Sequence, residues 1–78
     1  MKYPLVRVEW DDAWGSVSWT PIEVLKETEK PASIITVGWL LLKDKEKLVV
    51  ATTIDEENET ACLCMTIPRG CVKGMVRL

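Results

Sequence analysis

The sequence predicts a mainly β domain: a small five-stranded antiparallel barrel with one short α-helix between strands 1 and 2. Three observations carry this. Five short runs alternate or are rich in β-branched residues, and compact turn signals separate them. One segment near residue 20 has a helix start, with a proline a few residues beyond. Four tryptophans in 78 residues supply large packing units, three of them, Trp10, Trp14 and Trp19, close together.

Residues 4–10 come first. Val6, Val8 and Trp10 fall on one face; Leu5, Arg7 and Glu9 fall on the other, the pattern of a half-buried strand. Asp11, Asp12, Gly15, Ser16 and Ser18 read as a loop. Thr20-Pro21-Ile22-Glu23 reads as a capping box with proline in the first helical position. Ile22 and Leu25 share a face, and Pro31 disfavours helix at Lys30. An element of two to three turns is unstable alone, so it is expected to pack on the sheet.

Residues 33–43 form the longest strand candidate, apolar on both faces, with Gly38 as a bend or bulge. Trp39 and Lys43 fall with Ile35, Val37 and Leu41 on a face that is core or subunit contact. Asp44 to Lys47 reads as a charged hairpin turn, Leu48 to Ile54 as the next strand, and residues 55–59 as an acidic loop. Thr60 to Ile67 follows, with Ala61, Leu63, Met65 and Ile67 on one face. Pro68-Arg69-Gly70 is a tight turn, and residues 71–78 close the chain. A strand, a helix and four more strands, with a one-turn link before the last, suit an SH3-like or Sm-like barrel. Closure would remove exposed edges, and pairing of the first and last strands would bring Val6 and Val8 near Val72 and Val76.

The length supports a single domain, residues 1–78, with a thin stability margin. Such a margin favours a homo-oligomer. The net charge is −2 and the ten Lys and Arg are scattered, which disfavours generic DNA binding. No apolar run approaches the roughly 20 residues that span a bilayer, so no membrane role is expected. Met1-Lys2-Tyr3-Pro4 runs into the strand pattern without a signal core, and the expected setting is the cytoplasm.

The candidate ligand-binding residues are Trp10, Asp11, Asp12, Trp14, Trp39 and Arg69. Carboxylates suit ribose hydroxyls, indoles suit bases, and a turn-mounted arginine suits a phosphate or carboxylate. The competing reading makes Trp10 and Trp19 plugs of a small core, the aspartates turn formers and Gly38 a structural bend. Cys62, Cys64 and Cys71 read as small buried thiols, not a metal site, because i and i+2 on a strand lie about 6.5–7 Å apart. No metal and no cofactor is expected. With no histidine, no phosphate loop and adjacent aspartates pointing apart, the chain is not expected to be an enzyme.

One order of motifs runs along nearly the whole chain. It comprises Val8-Glu9-Trp10-Asp11-Asp12, Trp19 before a short helix, Ile35-Thr36-Val37-Gly38-Trp39-Leu40, Val49-Val50-Ala51 and Ile67-Pro68-Arg69-Gly70. It resembles small accessory proteins of tailed bacteriophages and prophages. Asp12 departs from the pattern, at a position expected to carry a small polar residue in many relatives. The resemblance brings no catalytic residues. It implies a phage accessory protein acting in the bacterial cytoplasm. With aromatic residues in loops, a few loop or turn cations and carboxylates, and a core small enough to want partners, the first expectation is a non-enzymatic oligomeric binding protein that counters host defence by sequestering a nucleotide-type signal. The alternatives are a module that inhibits a host protein through its tryptophans and an open strand, or an Sm-like binder of RNA or single-stranded DNA.

Overall fold

The computed structural model describes residues 2–13, 19–28 and 31–78, apart from the side chain of Thr28. Trp14 lies outside them, as does the expected helix boundary at Lys30. The elements run β1 (Leu5–Asp12), α1 (Ile22–Thr28), β2 (Ala32–Lys43), β3 (Lys47–Asp55) and β4 (Thr60–Pro68). A single 3₁₀ turn (Arg69–Cys71) then leads into β5 (Val72–Arg77). All strands are antiparallel neighbours in one sheet, ordered β4-β3-β2-β1-β5.

The expected pairing of first and last strands is present: Val6 faces Arg77, Val8 faces Met75 and Trp10 faces Val72. The expected closure is not. Among the described residues no ladder joins β4 to β5, so the sheet is open and these two strands are its edges. Geometry explains this. The 3₁₀ turn brings the end of β4 to the start of β5, but from there β4 runs along β3 alone and β5 along β1, so no rung forms between them.

Directly paired residues point to the same face. Val6, Val8 and Trp10 therefore share the inner face with Gly38, Thr36 and Ile34 of β2. These meet Leu48, Val50 and Ile67 from β3 and β4, forming the buried cluster. Leu40, Cys71, Val72 and Met75 pack around it. The sheet must fold over itself for β1 and β3, on either side of β2, to share one core. Gly38 marks the fold. It is buried, and a Cβ there would lie 2.5 Å from the Ala51 carbonyl oxygen. A register shift between Leu40 and Leu42 follows it.

Beyond the fold, β2 and β3 part. Their ladder ends at the Trp39–Ala51 pair, whereas β3 and β4 continue together to Asp55–Thr60. The far half of the β3–β4 hairpin is thus a two-stranded arm. The radius of gyration, 15.8 Å, exceeds the roughly 11.5 Å of a compact chain this long. The longest dimension is 52 Å.

Besides closure, the structure corrects three expectations. Asp11 and Asp12 belong to β1, opposite Ser33 and Ala32, and are not loop residues. Among the described residues the helix does not pack on the sheet: no strand lies extensively against it, and Ile22 and Val24 are exposed. Cys62 and Cys64 are exposed, not buried: Cys62 lies on the arm, and Cys64 stands at its root opposite Ala51; Cys71 is half-buried. Ala61, Leu63 and Met65 share this exposure, and of their predicted face only Ile67 is buried.

Candidate functional site

The five described candidate residues sit in five different settings. Trp10 is 5% exposed, its indole inside the core and its Nε1 donating to Thr36 Oγ1 at 2.9 Å. Thr36 shares the inner face on β2, so the bond ties the indole to that strand. Asp11 lies on the outer face, with Lys73 of β5 at 4.0 Å from its carboxylate. The carboxylate of Asp12 accepts from the Ala13 backbone N–H at 2.9 Å, which shapes the exit from β1. Trp39 is half-buried opposite Leu5, at the other end of β1 from the aspartates.

Arg69 is mounted on the 3₁₀ turn as its rigid surroundings suggest. Its guanidinium donates to the Asp44 carbonyl oxygen at 2.7 Å, and its backbone N–H donates to the Glu46 carbonyl. It ties the β2–β3 turn to the β4–β5 link. The Asp44 carboxylate in turn accepts from the backbone N–H groups of Lys47 and Glu46, both at 2.8 Å. Those bonds hold its carboxyl below the ordinary 3.8. Arg69 is thus engaged structurally, with further guanidinium donors still available. The structure does not bring the described candidates together around one cavity.

A cavity does form elsewhere. Its volume is about 410 Å³, and it is lined by Lys2, Tyr3, Leu41, Ile54, Glu56, Glu59, Thr60 and Ala61. The leading segment builds it: Leu40 N–H donates to the Pro4 carbonyl at 2.8 Å, which lays Tyr3 beside Leu41. The Lys2 ammonium stands 5.5 Å from the Tyr3 ring centroid. Asp55, next to this wall, accepts from the Asn58 side chain and backbone; these bonds hold its carboxyl below the ordinary 3.8. The acidic loop was visible in the sequence. Its proximity to Tyr3 was not, because it depends on a contact between distant segments.

A second feature is the segment from Trp19 to Leu25. Trp19 is fully exposed, at 104%, and Ile22 is 68% exposed. Trp19, Ile22 and Leu25 recur at intervals of three. On the helix, the carboxylate of Glu23 takes the ammonium of Lys26 at 3.4 Å. Among the described residues no group of three or more histidine, cysteine, aspartate or glutamate side chains is placed to hold a metal.

No family model, curated protein or solved structure matches this chain. No helix among the described residues is long and apolar enough to cross a membrane.

Proposed function

We propose that this chain is a small non-enzymatic interaction module that binds another protein through Trp19 and the apolar side of α1. The observation that carries the reading is the full exposure of Trp19 beside an exposed Ile22. A soluble domain rarely leaves tryptophan and isoleucine together in water unless a partner covers them. Tryptophan is also the residue type most enriched among interface anchors. Spacing of Trp19, Ile22 and Leu25 suits an apolar groove that receives a short helix and its lead-in. In the phage setting implied by the sequence resemblance, the groove belongs to a host protein whose defence role is blocked.

Electrostatics favour this reading over nucleotide sequestration. The cavity beside Tyr3 has an aromatic ring and one cation, but Glu56 and Glu59 line it too. Even in water, a carboxylate about 4 Å from a phosphate charge costs on the order of 1 kcal/mol. A phosphate-bearing signal would meet more repulsion than attraction there.

The test is affinity capture from bacterial lysate, paired with native mass spectrometry of the purified protein. The expected result is a protein partner that Trp19→Ala loses, with an unchanged melting temperature. A nucleotide mass on the wild-type protein, or a partner held equally well by Trp19→Ala, would overturn the proposal.

A further inference from the structure

We infer that two copies of this chain pair edge to edge through β4, antiparallel, about a two-fold axis at Leu63. The inference is independent of the partner bound through Trp19. It starts from the edge itself. Residues 60–67 carry no charge and no proline, and their outer side has no strand partner among the described residues. Sheet edges left in water are normally guarded by lysine, proline or shortness. The other edge, β5, follows that rule: it has six residues, with Lys73 and Arg77 among them. The nine-residue β4 is neither short nor charged, and its one proline, Pro68, stands only at its end. Its arm also lacks the third strand that gives a hairpin independent stability.

Charge selects the occupant and its direction. The whole β3–β4 hairpin has opposite charges at its two ends. Asp55, Glu56, Glu57 and Glu59 cluster at the tip. At the base, Lys43, Lys45, Lys47 and Arg69 outnumber Asp44 and Glu46. The ends are separated by the length of β4, about 30 Å. A second copy laid antiparallel places each acidic tip on the other's basic base. A parallel copy would place like on like. Pairing through β5 would set its cations against the basic base or against each other. A two-fold interface of one patch on itself is also the commonest arrangement for soluble oligomers.

The axis is located by a backbone irregularity. Leu63 has φ of 55°, in the left-handed region that a bulky side chain avoids. The β3–β4 ladder passes from Ala51–Cys64 to Thr53–Cys62 without a rung at Leu63. The Leu63 side chain is 76% exposed. Strain of this kind persists where something outside the local chain compensates for it. With the axis at Leu63, each regular half of β4 meets the other half of the second copy. Thr60 then faces Thr66, and Cys62 faces Cys64. The two leucines meet at the axis, and Glu57 comes opposite Arg69.

Side chains directly opposed on antiparallel strands have Cβ atoms about 4.5–5.5 Å apart. A short bis-maleimide therefore bridges Cys62 of one copy to Cys64 of the other, both being exposed. The experiment mixes isotopically light and heavy protein, measures mass in solution by light scattering, and cross-links. A dimer is expected. Its tryptic peptide Leu48–Arg69 should be joined, light to heavy, to a second copy of itself. Leu63→Lys, which sets two ammonium groups at the axis, should yield a monomer and abolish the cross-link. A wild-type monomer at sub-millimolar concentration would overturn the inference. So would a dimer or larger ring that forms no such cross-link, or one that survives Leu63→Lys. If Leu63→Lys does not fold, the wild-type cross-link decides.

Discussion

Gly38→Val is expected to leave the domain largely unfolded at temperatures where the wild type is stable. The first added atom would lie 2.5 Å from the Ala51 carbonyl oxygen and 2.8 Å from the Val50 Cγ1. The oxygen is backbone at the last rung of the β2–β3 ladder, so it cannot move aside as a flexible side chain would. Overpacking in a core usually costs about 1–3 kcal/mol, and more where the obstacle is rigid. Small domains have only about 5–15 kcal/mol in total. For a chain of this size each kcal/mol lowers the melting temperature by roughly 4–8 °C, so a drop well above 10 °C is expected. Gly74→Ala is the control, because a Cβ at Gly74 meets nothing within 4 Å. Circular dichroism melts of the two variants check this. A Gly38→Val protein that melts like the wild type would remove the fold point from the account.

Trp10→Ala is expected to cost about 3–5 kcal/mol, the range for removing a large buried aromatic. The indole is 5% exposed and sits in the cluster that joins β1 to β3 and β4. Its loss also removes the donor to Thr36 Oγ1. Trp10→Phe separates the two contributions. It keeps most of the packing and loses the hydrogen bond, whose net worth is on the order of 1 kcal/mol. Urea titration of the three proteins measures both steps. Equal midpoints for the wild type and Trp10→Ala would show that Trp10 is not a core residue and reopen its place in a binding surface.

The strand pattern was legible because period-two alternation reports a real physical constraint. Val6, Val8 and Trp10 alternate, and all three are buried. The same signal misled at β4. Ala61, Leu63, Met65 and Ile67 alternate just as well, yet only Ile67 is covered. Alternation states which face a side chain occupies, not whether another layer lies over that face. The helix shows the same limit. Ile22 and Leu25 share a face by spacing, but spacing carries no information on what that face meets. Gly38 was legible as a bend because a glycine inside a strand has few other uses. For the candidate site, Asp11 and Arg69 were recognisable as chemistry-bearing groups. Their actual neighbours, Lys73 and the Asp44 carbonyl, are set by long-range register and could not be read locally. The cavity beside Tyr3 was invisible for the same reason.

The position of β1 between β2 and β5 also sets an order of events in folding. β2, β3 and β4 are consecutive and joined by short turns, so their pairings close small loops. The Val6–Arg77 pairing unites opposite ends of the chain and must close nearly all of it. Loop-closure entropy rises with length, and distant pairings form late. The central meander is thus the natural nucleus, and the β1–β5 seam the last to form and the first to part. In stopped-flow kinetics, Met75→Ala at the seam should speed unfolding with little change in the folding rate, whereas Val50→Ala should slow folding. The reverse assignment would place the nucleus at the chain ends.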